Sequence, residues 1–322
     1  MILVTGASGL VGSQIIRQFV NEKKNVRGLK REESNISWLD DISDSIEWFN
    51  GDILDFLNIE KAFEGVTHVV HCAAVVSFDN SKDALMHEVN VEGTKNVLAL
   101  CDKYNIQKLV YISSVAALGR SYKANFITED AKWVQSSLNT SYAVSKYHAE
   151  LEVWRAQEEG LKTVILNPSV VIGPSNWSNS SNNLFKHVKD GNPLYPTGSL
   201  NYVDVRDLAL ITSKLLYNNT QAERFIISAG MISYERFFQL VAKSLNKKAP
   251  RFKVNPSLAI FVASILKVVR FLTSLKTNIT KEAVMLSQLN ILFVADKIEK
   301  ALDFKFRTIE DSIKWTSKQL KT

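Results

Sequence analysis

Hydrophobic and polar positions follow two alternating patterns along the first half of the chain. Short apolar runs are typical of buried strands, and apolar residues at helical spacing are typical of amphipathic helices. Strands are predicted at 2–5, 26–29, 46–50, 67–72, 109–113 and 163–166, and helices at 10–21, 57–63, 89–103 and 142–160. Strands that alternate with helices at this spacing predict an α/β fold, with a doubly wound parallel sheet.

The pattern changes after Pro168. Residues 172–198 are rich in Asn, Ser, Gly and Pro, which predicts long loops with a short helix at 184–189. We therefore expect a parallel-sheet domain over 1–168 and a smaller, mostly helical region over 169–322. The later elements are predicted as a strand near 224–228, which returns to the main sheet, and helices at 234–245, 256–275, 280–288 and 308–320.

Composition excludes several classes of protein. The chain has 322 residues, of which 46% are hydrophobic and 22% charged, so it can bury a large core and disorder is not its main state. Its two cysteines, Cys72 and Cys101, form neither a disulfide framework nor a zinc-ligand pattern, and we expect no metal site. The net charge is +6, but no run of Lys and Arg is long enough to indicate nucleic-acid binding.

Targeting signals are not expected. The sequence opens directly on the first apolar run, without a charged segment and cleavage site before it, which favours a cytoplasmic location. The most apolar later stretch, 256–275, contains Lys267 and Arg270 and is too interrupted for a membrane span. We interpret it as a buried or amphipathic helix, with a helix lying on a membrane surface as the alternative.

A glycine-rich turn joins the first strand to the first helix. Residues 5–12 read Thr-Gly-Ala-Ser-Gly-Leu-Val-Gly. A helix N-terminus presents unpaired N–H groups and a partial positive charge, and glycine lets the backbone approach a ligand closely. In this strand–turn–helix context the turn predicts a dinucleotide site. Its expected contacts are Gly6, Ser8, Gly9, Leu10, Val11 and Gly12.

Tyr142 and Lys146 are the candidate catalytic pair. Their spacing places both on one helical face, about one turn apart. A nearby ammonium is expected to lower the pKa of the phenol, which would then exchange a proton with a substrate oxygen. Ser113 and Ser114 close the fifth predicted strand, at the sheet edge where ligands bind, and either hydroxyl is a candidate partner.

Together with further motifs, these features resemble the extended short-chain dehydrogenases/reductases, the epimerase/dehydratase-like group. The resemblance covers residues 1 to about 210, and the combination of motifs is far more specific than any one of them. The further motifs are Gly51-Asp52-Ile53, His71-Cys72-Ala73-Ala74, Asn90 to Val97, Ser113-Ser114, Tyr142 to Lys146, Asn167 to Pro174 and Tyr202 to Asp207.

The resemblance implies a doubly wound parallel Rossmann sheet with a smaller, mostly helical C-terminal substrate-binding region. It implies Ser114, Tyr142 and Lys146 as catalytic residues, with Lys146 also holding the nicotinamide ribose, and a homodimer. Asn90 is interpreted as a helix cap rather than a proton relay, and His71 as a strand-end residue. The further cofactor contacts that the resemblance implies are Asp52, Ile53, Cys72, Ala73, Ala74, Asn167, Pro168 and Val170.

The end of the second strand indicates which cofactor binds. A carboxylate there accepts from the ribose of NAD, whereas a cation pairs with the 2′-phosphate of NADP. This chain has Lys30 and Arg31 at that point, a pattern that resembles NADP-using reductases of the flavonoid-reductase type. Because Glu32 and Glu33 follow at once, NAD stays possible.

Three functions are compatible with these motifs: a reductase or dehydrogenase of a carbonyl/alcohol pair, a nucleotide-sugar epimerase or dehydratase, and a non-catalytic dinucleotide-binding sensor. Epimerases of the group usually carry Arg-Asp where this chain has Leu200 and Asn201. An apolar side chain cannot neutralise a diphosphate, which favours the reductase and a less charged small-molecule substrate. Lys186 and Lys189 are then the available cations, unless Arg251 or Lys253 supplies a diphosphate contact.

Overall fold

In the computed structural model, seven parallel strands form the central sheet, in the order β11-β7-β5-β4-β1-β2-β3. The structure describes residues 1–77, 79–120, 124–175, 177, 181–254 and 281–320. The strands are β1 Ile2–Thr5, β2 Val26–Lys30, β3 Ile46–Asn50, β4 His68–His71, β5 Lys108–Ile112, β6 Phe126–Ile127, β7 Thr163–Pro168, β8 Val170–Ile172, β9 Leu194–Tyr195, β10 Ser199–Asp204, β11 Glu223–Ile227, β12 Gly230–Ser233, β13 Phe252–Lys253 and β14 Leu292–Phe293.

Helices cover both faces of this sheet, as the doubly wound prediction requires. Each strand of the sheet before the last one, β11, is followed by a crossover that returns the chain in parallel, and these crossovers cover both faces. The helices are α1 Leu10–Asn21, α2 Phe56–Glu60, α3 Asp83–His87, α4 Gly93–Lys103, α5 Ser141–Glu158, α6 Asn182–Lys189, α7 Val205–Tyr217, α8 Tyr234–Leu245, α9 Lys281–Leu286, α10 Asp296–Leu302 and α11 Ile309–Gln319.

Two apolar cores lie on opposite sides of the sheet. The first joins α1 and α7 to one face through residues such as Ile15, Phe19 and Ile211. The second joins α4 and α5 to the other face through residues such as Val97 and Val153. The predicted fold class is confirmed, and the order reverses between β4 and β1, so the crevice for a ligand opens at their carboxyl ends.

The second half of the chain contains more regular structure than its sequence predicts. A three-stranded sheet, β12-β10-β8, stands beside the main sheet, and α7 packs against α1. The sequence reading has no helix at 205–217, although this helix buries Leu208, Ile211 and Leu215 completely. These three residues recur at helical spacing, so the local pattern was sufficient to predict the helix, and its apolar face packs against α1.

A third core supports the C-terminal region. Phe185 of α6, Phe237 of α8 and Ile313 of α11 are all buried in it. The helix predicted at 256–275 lies outside the described residues, and the one predicted at 280–288 is described as α9. Within the described ranges, no helix is both long and apolar enough to cross a membrane.

Candidate active site

The glycine turn is fixed by backbone crowding at the carboxyl end of β1. Gly6 has a φ of +64°, and a Cβ on it would lie 2.8 Å from the Cα of Ala73. A Cβ on Gly12 would meet the carbonyl oxygen of Gly6 well inside contact distance. The turn therefore excludes side chains and leaves the first N–H groups of α1, which begins at Leu10, available to an anion.

Thr5 and His71 join the ends of β1 and β4 beneath this turn. The Thr5 hydroxyl lies 2.6 Å from His71 Nδ1 and accepts the backbone N–H groups of Cys72 and Ala73, each at 3.2 Å. The other ring nitrogen of His71 lies 3.0 Å from the Thr94 hydroxyl. Burial lowers the pKa of His71 to about 3, so the ring is neutral and structural.

Cys72 is part of the same segment. Burial raises the pKa of its thiol to about 12, which makes it an unreactive neutral group at neutral pH. The segment 72–74 follows β4 directly and lies against the glycine turn through Ala73. The segment therefore lies next to the turn that is predicted to bind the dinucleotide.

The predicted adenosine side lies at the end of β2. Lys30 donates to Asn50 Oδ1 at 2.8 Å, and Arg31 has a side chain that is 63% exposed, with its Nε 3.2 Å from a Glu33 oxygen. An exposed ion pair of this kind is weak, so Arg31 is available to another anion. Asp52 accepts from the backbone of Leu54 at 3.0 Å in a local turn.

Ile53 has a packing role beside that turn. Its side chain is buried, and a Cβ on Gly93 would lie 2.5 Å from its Cδ1. The residue thus sets the close approach of α4 to the loop after β3. Of the two predicted cofactor contacts Asp52 and Ile53, Asp52 is the one with an accessible side chain.

The candidate catalytic groups meet at the carboxyl end of β5. Ser114 follows this strand, and Tyr142 stands in the first turn of α5, whose N-cap Thr140 accepts from Ala143 at 3.1 Å. The Ser114 hydroxyl lies near enough to the Tyr142 phenol to lower its pKa. The structure therefore brings the predicted serine and tyrosine together.

Ser113 points to the opposite side. Its hydroxyl donates to Glu150 Oε1 at 2.5 Å, and both side chains are buried below the site. The carboxylate also accepts from Asn167 Nδ2 at 2.5 Å, and Arg224 lies 3.4 Å from its other oxygen. Of the two candidate hydroxyls, Ser114 is the one that reaches the phenol.

Lys146 is almost fully buried, one turn after Tyr142. Its ammonium donates to the Tyr111 hydroxyl at 3.0 Å and to the Ile112 carbonyl oxygen at 2.9 Å. Burial lowers the pKa of Lys146 to about 8, although the Glu150 carboxylate acts in the opposite direction. The amine is thus poised to change protonation near neutral pH.

The expected effect of Lys146 on the phenol differs from the one found. Burial raises the pKa of Tyr142, and the groups that lower it are Ser114 and then Arg120. The Lys146 ammonium is held instead by Tyr111 and a backbone carbonyl. Desolvation therefore outweighs the neighbouring charges, and the phenol is a proton donor at neutral pH.

Asn167, Pro168 and Val170 form the floor and rim of the site. Asn167 Nδ2 also donates to the Ser114 carbonyl oxygen at 2.8 Å, so its side chain supports the catalytic segment from below. Pro168 ends β7, and Val170 begins β8 with a side chain at the surface. Only Val170 of these three predicted contacts presents an exposed side chain.

Asn90 corrects the sequence interpretation. It lies within the π-helical turn Glu88–Glu92 instead of capping a helix. Its side chain exchanges hydrogen bonds with the backbone of Val75, at 2.7 and 2.9 Å, and donates to the Ser145 hydroxyl at 2.9 Å. Asn90 thus ties the loop after β4 to α5. These segments are far apart in the sequence, so no local pattern predicts this contact.

The substrate side also differs from its prediction. Leu200 is buried in the third core, and Asn201 bridges the Ile291 carbonyl and the Phe293 N–H, at 2.8 and 3.0 Å. Lys186 pairs with Asp190 on the surface of α6, and the Lys189 ammonium lies 3.9 Å from the centre of the Trp177 ring. Each of these two lysines thus has a side-chain partner at the surface.

Arg120 is a functional candidate that the sequence did not indicate. It follows Gly119 and is close enough to the Tyr142 phenol for its charge to lower the pKa of that group. No motif marks this arginine, and its proximity to Tyr142 arises only from the fold. Among the described residues, no cluster of three metal-ligating side chains is present.

Comparison with known proteins agrees with this arrangement. A model of the NAD dependent epimerase/dehydratase family matches residues 2–228. A putative dihydroflavonol 4-reductase of Synechocystis is 28% identical, over 97% of this chain and 93% of that protein. An undecaprenol-linked N-acetylglucosaminyl 4-epimerase of Escherichia coli O157:H7 is 30% identical, over 77% of this chain and 73% of that protein. The crystal structure of gox2253 has a TM-score of 0.85 and 28% identity, over 100% and 98%.

Gly12→Ala tests the glycine turn. The added Cβ would collide with the Gly6 carbonyl and displace the turn, so we expect loss of measurable NAD(P)H binding in a fluorescence titration. Gly65→Asn is the matched control, because Gly65 has a positive φ but open space around it, and Asn tolerates that conformation. Unchanged cofactor affinity in a folded Gly12→Ala protein would contradict the assignment.

Proposed function

The chain belongs to the NAD dependent epimerase/dehydratase family, and on that basis we propose that it is an NADP-dependent reductase or dehydrogenase acting on a carbonyl/alcohol pair. The observation that carries the proposal is the position of the Ser114 hydroxyl at the open edge of the sheet, near enough to the Tyr142 phenol to lower its pKa. A hydroxyl and a phenol placed side by side can both bind one substrate oxygen.

The proton chemistry follows from the burial of the phenol. Because burial raises the pKa of Tyr142, the side chain carries its proton at neutral pH and is suited to donate it to a carbonyl oxygen. The bound nicotinamide would supply the hydride to the carbonyl carbon. Ser114 would hold the same oxygen through a second hydrogen bond, and the charge of Arg120 would favour the phenolate that is left behind.

The chain has the contacts that a dinucleotide needs. The crowded glycines at 6 and 12 leave the N-terminus of α1 open to a pyrophosphate, which a side chain at either position would fill. Arg31 is exposed beside the end of β2, where it would pair with the 2′-phosphate of NADP and exchange its weak contact with Glu33. These features support NADP over NAD.

The substrate side supports a reductase over a nucleotide-sugar epimerase. Leu200 is buried and Asn201 is occupied by backbone hydrogen bonds, so neither can bind a diphosphate. The second candidate function is an epimerase, which is favoured by the 30% identity to the E. coli 4-epimerase. A purely sensory role is less consistent with the Ser114 hydroxyl placed close to the Tyr142 phenol.

Tyr142→Phe tests the proton donor. With an aldehyde substrate and NADPH, kcat is expected to fall by about 10²–10⁴-fold, since a positioned general acid contributes that much. The Kd for NADPH should stay unchanged, because the phenyl ring is kept. Tyr104→Phe, whose hydroxyl lies near Glu60 far from the site, is the control. Retained turnover in Tyr142→Phe would remove this residue from the mechanism.

Arg31→Gln tests the cofactor preference. We expect the wild-type protein to bind NADPH more tightly than NADH, and the variant to bind NADPH about tenfold more weakly, since hydrogen bonds to charged groups contribute about 1.5–3 kcal/mol. NADH affinity should not change. Arg155→Gln, another exposed and ion-paired arginine, is the control in the same fluorescence titration. Tighter binding of NADH by the wild type would refute the role given to Arg31.

Uridine diphosphate distinguishes the two candidate reactions. If the site does not bind nucleotide diphosphates, UDP will leave the melting temperature of the NADPH-loaded protein unchanged in a thermal-shift assay. A ligand that binds only the native state stabilises it by RT ln(1 + [L]/Kd), where [L] is the concentration of free ligand. A large upward shift would favour the epimerase.

A further inference from the structure

Arg120 stands at the edge of the candidate site, six residues after Ser114. The short 3-10 helix Val115–Leu118 connects the two, and Gly119, with a φ of +73°, turns the chain at its end. The position is therefore set by the same segment that places the catalytic hydroxyl. The guanidinium carbon lies 5.9 Å from the centre of the Phe293 ring.

Aromatic side chains surround this cation. Besides Phe293, the phenols of Tyr142 and Tyr234 are near enough for the charge of Arg120 to lower the pKa of both. Burial in turn lowers the pKa of Arg120 itself. Phe293 is fixed because its backbone N–H donates to Asn201, at 3.0 Å. The groups near this guanidinium are thus the Phe293 ring and the phenols of Tyr142 and Tyr234.

Arg120 differs from the other half-buried arginines in the described ranges. Each of those pairs with a carboxylate, whereas Arg120 has no carboxylate within salt-bridge distance among the described residues. A desolvated charge is costly unless it is paired. The paired arginines and their partners are Arg17 with Asp41, Arg27 with Glu47, Arg206 with Asp204, Arg224 with Glu150 and Arg307 with Asp207.

We propose that Arg120 binds a carboxylate of the substrate, a few bonds from the carbonyl group that receives the proton of Tyr142. This inference rests on the proposed reductase function. The planar guanidinium fork matches a carboxylate in a bidentate geometry, and the surrounding rings strengthen that contact by excluding water. The substrate class is thus an oxo acid or its hydroxy acid.

This assignment refines the expectation of a less charged substrate. One cation near the reacting oxygen suits one carboxylate close to the carbonyl carbon. A nucleotide diphosphate would instead need a cation farther away, across the sugar ring. Leu200 and Asn201 provide none, and Lys186 and Lys189 are engaged with Asp190 and Trp177.

A matched pair of aldehydes tests the proposal by turnover. The wild-type protein with NADPH should reduce 3-formylbenzoate with a kcat/KM at least about tenfold above that for 3-formylbenzamide, because charged hydrogen bonds contribute about 1.5–3 kcal/mol. Arg120→Met should bring the ratio near one, mainly through KM, and Arg120→Lys should retain part of it. Arg236→Met, an exposed arginine of α8, should keep the wild-type ratio.

Binding of the products gives a readout that needs no turnover. We expect calorimetry on NADPH-saturated protein to show tighter binding of 3-(hydroxymethyl)benzoate than of 3-(hydroxymethyl)benzamide, and Arg120→Met to abolish the difference. Equal affinity in the wild type, no binding of either compound, or a preference that survives Arg120→Met would each overturn the proposal. Arg120-dependent carboxylate binding without reduction of any aldehyde would instead count against the reductase function alone.

Measurement of the melting temperature distinguishes substrate binding by Arg120 from a purely structural role. An unpaired buried charge does not stabilise the fold, so Arg120→Met should melt at the wild-type temperature or above it. A lower melting temperature combined with an unchanged carboxylate preference would show that Arg120 supports the fold and does not bind substrate.

Discussion

The close approach of three backbone segments at the carboxyl end of β1 is the constraint on which the rest of the structure depends. The turn after Thr5, the start of α1 and the segment after β4 meet at distances that only glycine permits at positions 6 and 12. The buried contact of Thr5 with His71 holds the two central strands in register beneath them. The strand order reverses between β4 and β1, and this reversal opens the crevice for a ligand beside the crowded turn.

Buried polar side chains connect this crevice to the candidate residues Ser114 and Tyr142. Glu150 accepts from Ser113 and Asn167, and Asn167 also holds the backbone of Ser114. Lys146 is anchored to the end of β5 in a similar way. A network of this kind is costly to bury unless its members are hydrogen-bonded, so it restricts the positions that Ser114 and Tyr142 can take.

The same balance of burial and charge decides the state of the reacting phenol. Desolvation keeps the proton on Tyr142, although Ser114 and Arg120 both act against it. A protonated phenol beside a half-buried guanidinium is consistent with a site that donates a proton to a carbonyl and holds an acidic group beside it. The proton donor and the group that selects the substrate would then lie next to each other in the site.

The amino-acid sequence by itself determined the fold class, the glycine turn and the candidate pair Tyr142 and Lys146, and it left Ser113 and Ser114 both open until the family resemblance favoured Ser114. These features depend on local spacing: strand and helix periods, a strand–turn–helix junction, and two residues four apart on one helix. Only the tertiary structure decided that Ser113 contacts Glu150, that Asn90 ties a loop to α5, that α7 packs on α1 and that Arg120 lies near Tyr142. Each of these depends on segments far apart in the chain, and on how much water the fold removes from each side chain, which no local pattern of residues records.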